Sequence, residues 1–137
     1  QRGDARGATI GFPTANINMG ETIYPALGVY AVRVGLADEG GTRWLDGVAN
    51  LGRRPTFGGD DVVLEAHLLD FEGDLYGKRL RVAFITFLRP EERFEDIDAL
   101  TSQIAADRDR AATLLEERAR EPGWFVNDNL PPVINNR

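Results

Sequence analysis

The chain has 137 residues, of which 42% are hydrophobic and 28% are charged, and its net charge is −6. A chain of this length and composition forms one globular domain, and its acidic balance argues against nucleic-acid binding, which requires a basic surface. It has no cysteine, no apolar run of roughly 18 residues and no signal-like start, so we expect a cytoplasmic protein without disulfides, zinc–thiolate sites or membrane spans.

The first three-fifths of the chain predicts short β-strands separated by glycine and proline. A strand is predicted within residues 24–36, where the side chains alternate from Val29 onward. After a turn at residues 38–41, residues 43–50 are predicted to form the returning strand. Residues 51–61 contain three glycines and a proline, and they predict a loop.

Two more strands are predicted, over residues 62–71 and 79–88, with a turn at residues 72–74 between them. In the second of these strands, alternation predicts one shared face for Leu80, Val82, Phe84 and Thr86. Several short strands with tight turns favour an antiparallel barrel or sandwich, and closing a barrel removes exposed edges.

The pattern changes after Pro90. From Asp96 to about Arg120 the apolar residues recur at helical spacing, interrupted by the polar residues 107–110, and Pro122–Gly123 then ends the helix. We therefore predict a domain over residues 1–121, built as a β-barrel followed by one long helix, and an extended tail over residues 122–137.

The first candidate site is the glycine-rich segment Arg6–Asn16. Glycines at positions 3, 7 and 11 would let backbone N–H groups approach a phosphate, although the same residues also fit a plain turn. Thr14 and Asn16 follow two residues apart, so in an extended segment their oxygens point the same way, and neutral oxygens beside phosphates suit Mg²⁺. The alternative is an Asx or Ser/Thr turn with local capping bonds.

Two further candidates lie later in the chain. Glu65 shares one face of its strand with His67, the single histidine, and a carboxylate among apolar neighbours is a candidate general base. The alternative is a cross-strand ion pair on a solvated face. Arg89 and Phe94 are a candidate pair for binding a planar ligand, or else Phe94 is a hydrophobic staple and Arg89 caps a turn.

Five motifs occur in a fixed order that resembles bacterial riboflavin kinases, in particular the C-terminal module of bifunctional riboflavin kinase/FAD synthetases. They are GFPTAN at 11–16, GVYAV at 28–32, GVANLGRRPTF at 47–57, EAHLLDFEGDLYG at 65–77 and FLRPEERF at 87–94. The resemblance runs from about Gly3 to Leu115. It implies a closed antiparallel Greek-key β-barrel with a long C-terminal helix, and the transfer of a phosphoryl group from ATP to the riboflavin 5′-hydroxyl, giving FMN.

The resemblance also implies roles for individual residues. Thr14 and Asn16 match the family's Mg²⁺ ligands, and Glu65 matches its catalytic base. The remaining matches divide between the nucleotide, at Gly3, Arg6, Gly7, Gly11, Pro13 and Tyr76, and the flavin, at Arg89, Glu92 and Phe94.

The sequence departs from the family in three respects. It starts after a strand that family members carry before this loop, so we expect the first barrel strand, and an adenylyltransferase domain, to lie upstream. The loop between Arg6 and Gly11 lacks a lysine that some relatives use near the phosphates, and a His-x-Gly-His motif for adenylyl transfer is absent. A non-catalytic flavin- or nucleotide-binding barrel is the main alternative function, and an oligonucleotide-binding barrel is disfavoured by the acidic charge.

Overall fold

The computed structural model describes residues 14–20, 23–38, 40–75, 77–124 and 134–135. Its elements in chain order are strands β1 (Thr14–Asn18), β2 (Gly28–Asp38), β3 (Gly41–Thr56), β4 (Gly59–Leu68) and β5 (Arg79–Arg89), helix α1 (Ile97–Arg118) and the short strand β6 (Ile134–Asn135).

The strands form one antiparallel sheet in the order β1-β4-β3-β2-β5-β6. Strands β2, β3 and β4 follow one another as hairpins, and β1 lies beside β4, which is Greek-key connectivity. The predicted mainly-β antiparallel fold with a C-terminal helix is therefore confirmed. The pairings among the described residues leave the sheet open between β1 and β6, so closure of the barrel stays a prediction.

One face of the sheet, called here the inner face, carries the main hydrophobic core. Side chains from β1 to β5 meet there with Leu75, and the helix takes no part in this cluster. A sheet that buries one face largely against itself curves as a barrel does. The alternation predicted from Val29 onward is confirmed, because the inner-face core contains Tyr30, Val32 and Val34. It also contains Leu64, Ala66 and Leu68, so Glu65 and His67 share the opposite face as predicted.

Helix α1 packs on the opposite, outer face of the sheet. Ala111 and Leu115 of the helix are fully buried against Val29, Ala31 and Val48 of β2 and β3. The helix begins after Asp96, whose side chain accepts a hydrogen bond from the backbone N–H of Ala99 at 2.7 Å, the usual role of an N-cap carboxylate. None of the helices in the described ranges has the length and apolar character needed to cross a membrane.

Two irregularities in β5 change the register of its pairing with β2. Shifts occur between Val29 and Tyr30 and between Ala31 and Val32 of β2, and each adds one residue to β5. As a result Thr86 lies opposite Ala31, which is an outer-face residue. The prediction that Thr86 shares the face of Leu80, Val82 and Phe84 is therefore wrong, because strict alternation does not anticipate a bulge.

The loop predicted over residues 51–61 is also wrong. Strand β3 continues through this region to Thr56, turns at Phe57–Gly58, and returns as β4 from Gly59. The register pairs Gly52 with Val63 and Pro55 with Asp60, so the backbone ladder extends the hairpin through residues that disfavour strands. The predicted long helix is confirmed, since α1 runs without a break across the polar residues 107–110, of which Asp107 is buried.

Candidate functional site

A row of directly paired residues crosses the outer face of the sheet. Asn16 lies opposite Glu65, Glu65 opposite Asn50, Asn50 opposite Val29, and Val29 opposite Arg89. Directly opposed side chains on one face lie about 5 Å apart at Cβ. Five strands thus bring an amide, a carboxylate, a second amide and a guanidinium into one line, and the two bulges of β5 bring Arg89 into it.

The neighbouring row begins with Thr14 and His67, which are also directly opposed. The Thr14 hydroxyl and His67 Nδ1 are hydrogen-bonded at 3.0 Å. Burial lowers the pKa of His67 below its ordinary value, against the opposing effect of the Glu65 charge, so the ring is neutral near pH 7. When the proton of the neutral His67 ring is on Nε2, Nδ1 accepts a hydrogen bond from the Thr14 hydroxyl. The lone pairs of that hydroxyl then point away from His67.

Glu65 is half-buried and contacts one cation. Arg54 Nη2 donates to Glu65 Oε1 at 3.3 Å, and Arg54 Nη1 donates to Glu91 Oε2 at 2.6 Å. Burial opposes the charge of Arg54, yet the bond to Glu91 and the Glu65 carboxylate outweigh it and raise the pKa of Arg54 above its ordinary value. Arg54 therefore bridges two carboxylates and stays charged.

The Glu91 carboxylate can lie next to Arg54 because Gly52, a residue of β3 that it contacts, has no side chain. A Cβ at Gly52 would collide with the Glu91 carboxylate. The residues on either side of Gly52 on the same face hold that carboxylate, since Asn50 Nδ2 donates to Glu91 Oε2 at 3.1 Å and Arg54 bonds the same oxygen. The segment after β5 is thereby fastened to the middle of the sheet.

Arg89 ends β5 and binds the helix. Its guanidinium donates from Nε to Asp107 Oδ1 at 3.0 Å and from Nη2 to Asp107 Oδ2 at 2.8 Å, a bidentate pair. The hydrogen bond to Asp107 raises the pKa of Arg89. The guanidinium carbon also lies 5.8 Å from the centre of the Phe94 ring, and Arg89 Nη1 is 3.6 Å from an oxygen of the exposed Glu92.

These groups surround an open cavity of about 850 Å³ between the outer face of the sheet and the start of α1. This volume lies within the range of small-molecule sites. One side is polar and includes Thr14, Glu65, His67 and Arg54. The other side is more apolar, with Val29, Val48, Phe94, Ile97, Leu100 and Ile104.

The structure therefore brings together the predicted residues that it describes. Thr14, Glu65, Arg89, Glu92 and Phe94 line the cavity, and Asn16 lies beside Glu65 at the β1 edge. The other predicted site residues lie outside the described residues: Gly3, Arg6, Gly7, Gly11, Pro13 and Tyr76.

The oxygens at the β1 edge fit a hard cation such as Mg²⁺. Thr14 and Asn16 share the outer face, because their partners in β4 are His67 and Glu65. The set is a hydroxyl and an amide with a carboxylate opposite, which is the oxygen chemistry that Mg²⁺ prefers when phosphates complete its shell. Over the described ranges, three or more His, Cys, Asp or Glu side chains nowhere gather as a metal cluster would require.

Sequence reasoning missed Arg54, Glu91 and Asp107. A signal for the first two exists in hindsight, since Asn50, Gly52 and Arg54 alternate on one face and a bare glycine between polar residues marks a close approach. The glycine and proline content of residues 51–61 masks that signal, because it predicts a loop. The signal for Asp107 is weaker: it is a carboxylate on the apolar side of a predicted helix.

The curved Greek-key sheet and the cavity lined by Glu65 are typical of a small-molecule-binding β-domain with a carboxylate on the polar side of its site. The sequence model of the riboflavin kinase family (Flavokinase) matches residues 1–115. The chain belongs to the riboflavin kinase family.

Several curated relatives of this chain are named bifunctional riboflavin kinase/FMN adenylyltransferase. The protein from Escherichia coli (strain K12) is 49% identical over 106 residues, which cover 77% of this chain and 33% of that protein. The protein from Pseudomonas fluorescens is 50% identical over 99 residues, covering 72% of this chain and 30% of that protein. The chain thus spans about a third of the length of the relatives that it matches.

A solved structure shares the fold. It is described as a macrolide-efflux protein from Streptococcus pneumoniae, and it superposes with a TM-score of 0.67 at 34% sequence identity. The superposition covers 79% of this chain and 34% of that one. The word efflux belongs to the description of that longer protein, and the likeness here is one of fold.

Proposed function

We propose that this chain is a riboflavin kinase domain, which transfers the γ-phosphoryl group of ATP to the 5′-hydroxyl of riboflavin and yields FMN and ADP. One observation carries the proposal. In a chain of the riboflavin kinase family, Glu65 lines the polar side of the cavity, opposite Asn16 and next to the Thr14–His67 pair.

Glu65 is proposed as the general base. Among the described residues its carboxylate has one hydrogen-bond partner, Arg54, and that contact uses Oε1. Oε2 is available to accept the proton of the 5′-hydroxyl as the hydroxyl oxygen bonds to the γ-phosphorus. The bond from that phosphorus to the bridging oxygen breaks, and ADP leaves. A positioned base typically contributes about 10²–10⁴-fold to such a step.

Thr14 and Asn16 are proposed to hold Mg²⁺ on the ATP phosphates. When bound, the ion neutralises charge on the transferred oxygens, the main requirement of phosphoryl transfer. This chain's own contribution is to orient the ligands, because the Thr14–His67 bond at 3.0 Å fixes the hydroxyl and the β1–β4 pairing fixes the strand. Gly3, Arg6, Gly7, Gly11, Pro13 and Tyr76 are proposed nucleotide contacts on the strength of the family resemblance alone.

The apolar side of the cavity is proposed to take the flavin ring. Arg89 and Phe94 are proposed flavin contacts with Glu92, supported by the 5.8 Å approach of the guanidinium to the Phe94 ring. Because Arg89 is held by Asp107, its position at the cavity wall is fixed before any ligand arrives. The Val29, Val48 and Ile97 side chains offer the apolar surface that a planar ring system needs.

The matching part of this chain covers about a third of each relative, and the relatives are named for two activities. We therefore propose that residues 1–121 form the kinase domain and 122–137 its tail, that the native protein carries an N-terminal FMN adenylyltransferase domain, and that it acts in the cytoplasm, where ATP is available.

A non-catalytic flavin- or nucleotide-binding barrel is the second candidate. Glu65 disfavours it, since binding alone does not require a carboxylate with an open oxygen beside a phosphate site.

The test is to incubate the chain with riboflavin and Mg·ATP and to separate the flavins by chromatography. The kinase proposal expects FMN to accumulate in a one-to-one ratio with ADP. Riboflavin binding without FMN formation would support the binding barrel and contradict the kinase. EDTA should abolish the reaction, and added Mg²⁺ should restore it.

A further inference from the structure

We propose that Arg54 is a positioning residue for Glu65, held in place by Glu91 across the bare backbone of Gly52. This inference rests on the proposed kinase function. It assigns a role to Arg54 and Glu91, which lie within the motifs at 47–57 and 87–94 but have no role in the proposed mechanism.

The contacts of Arg54 are unequal, and the inequality indicates its role. Its bond to Glu91 is 2.6 Å and its bond to Glu65 is 3.3 Å. The guanidinium is thus anchored on Glu91 and presents a second N–H to one oxygen of Glu65. The guanidinium is planar, so fixing Nη1 on Glu91 also fixes the direction in which Nη2 donates. Glu65 Oε1 accepts that bond, and Glu65 Oε2 is therefore turned away from the arginine.

The anchor itself is built into the sheet. Asn50, Gly52 and Arg54 are alternate residues of β3 and therefore share the outer face. Asn50 and Arg54 bond the same oxygen of Glu91, and the absence of a side chain at Gly52 leaves room for the carboxylate between them. Glu91 lies two residues after the end of β5, so the anchor also fixes the segment that leads to Glu92 and Phe94.

This arrangement links the two halves of the proposed site. Glu65 belongs to the polar half, where phosphoryl transfer is proposed, and Glu91 belongs to the segment at the flavin half. Arg54 is the described residue that contacts both carboxylates. A cation between them also offsets the repulsion of two negative groups in one cavity.

The experiment compares Arg54→Met with Arg79→Met in the same protein. Arg79 is exposed and begins β5, whereas Arg89 at the other end of that strand lines the cavity, so R79M is a matched loss of charge far from the site. R54M should lower kcat roughly ten-fold or more, with KM for Mg·ATP changed less than about three-fold, because misplacing a catalytic group affects turnover more than binding. R79M should stay near wild type. Circular dichroism and thermal melting check that both variants fold.

Two further variants separate positioning from a structural role. In an E65Q background, R54M should change kcat less than about two-fold, because a residue that acts through Glu65 has nothing left to position. Gly52→Ala should reproduce part of the R54M loss without altering any charge, since the added Cβ displaces the flexible Glu91 carboxylate. R54K should restore part of the activity by keeping the charge without the fork.

The inference is overturned if R54M turns over like wild type, or if R54M lowers kcat equally in the wild-type and E65Q backgrounds. A wild-type chain that forms no FMN would overturn the proposed function, and the inference with it. The two failures are therefore distinguished by whether the wild type is active.

Discussion

At the scale of single residues, environment decides what each carboxylate of this cavity can do. Glu91 accepts two bonds on one oxygen, from Asn50 and Arg54, and is committed to holding them. From the part of the chain that the structure describes, Glu65 accepts one longer bond, which uses one of its two oxygens. The two carboxylates contact the same arginine, yet they have different roles. Glu91 is an anchor, and Glu65 is the candidate base.

Thr14→Val tests the proposed metal side of the cavity at this scale. Valine keeps the shape of threonine but removes the oxygen, so Mg·ATP should bind about ten-fold more weakly, while riboflavin binding should be retained. Isothermal titration with Mg·ATP measures the change without turnover. Thr113→Val, at an exposed position of α1, is the matched control and should leave both affinities unaltered. Equal nucleotide affinity in T14V and wild type would remove Thr14 from the site.

His67 gives a pH-dependent term in stability. Its pKa is lowered in the folded chain by burial, so the unfolded chain binds this proton first as the pH falls below about 6.5. The stabilisation from a neutral His67 is therefore complete above the unfolded pKa and is lost as the pH falls through the folded pKa.

The measurement is urea denaturation of wild type and His67→Gln from about pH 7.5 down to about pH 5. Because the chain has one histidine, the difference between the two curves isolates this group. The wild type should lose free energy of unfolding below about pH 6.5 more steeply than the variant. A difference that does not vary with pH would contradict the burial account.

At the scale of elements, the sequence predicted the strands and the helix where periodicity is strong and failed where pairing overrides propensity. Residues 51–61 contain Gly52, Pro55 and Gly58, which favour a loop locally, yet the long β3–β4 hairpin continues through them. Local propensity is a weak prior against a ladder of backbone hydrogen bonds. The bulges of β5 were equally hidden, since they depend on the register against β2.

The site was predictable where it lies in short motifs and hidden where it depends on those pairings. Thr14, Asn16 and Glu65 were singled out by residue type and spacing, and the β1–β4 register then brings them together. Arg54 and Glu91 meet 37 positions apart, and Arg89 and Asp107 meet through a helix that crosses the sheet. Contacts of that kind arise from the tertiary fold, and no local pattern encodes them.

Asp107 tests the contact between α1 and β5. Asp107→Asn removes the negative charge that pairs with Arg89. Because Asp107 is only 7% exposed, we expect the free energy of unfolding to fall by about 2 kcal/mol. Asp109→Asn makes the same chemical change on the exposed side of the same helix and should have little effect. Chemical denaturation of both variants measures the difference. Similar stabilities for D107N and D109N would show that the pair does not hold the helix to the sheet.

At the scale of the whole molecule, the main hydrophobic core and the candidate site lie on opposite faces of the sheet. The inner face of the curved sheet holds the main core, and the outer face is shared between helix α1 and the cavity. The groups proposed for catalysis therefore stand on the outer side of strands whose inner side chains are fully buried. A site on paired strands is more rigid than one on loops, which suits a reaction that depends mainly on positioning.

The central claim is that this chain phosphorylates riboflavin at a site whose base is Glu65. The most direct measurement is the rate of FMN formation by wild type and Glu65→Gln at saturating riboflavin and Mg·ATP, with nucleotide affinity measured on the same samples. We predict that E65Q binds Mg·ATP with nearly wild-type affinity and forms FMN at least about 10²-fold more slowly. FMN formation by E65Q at close to the wild-type rate would contradict the account.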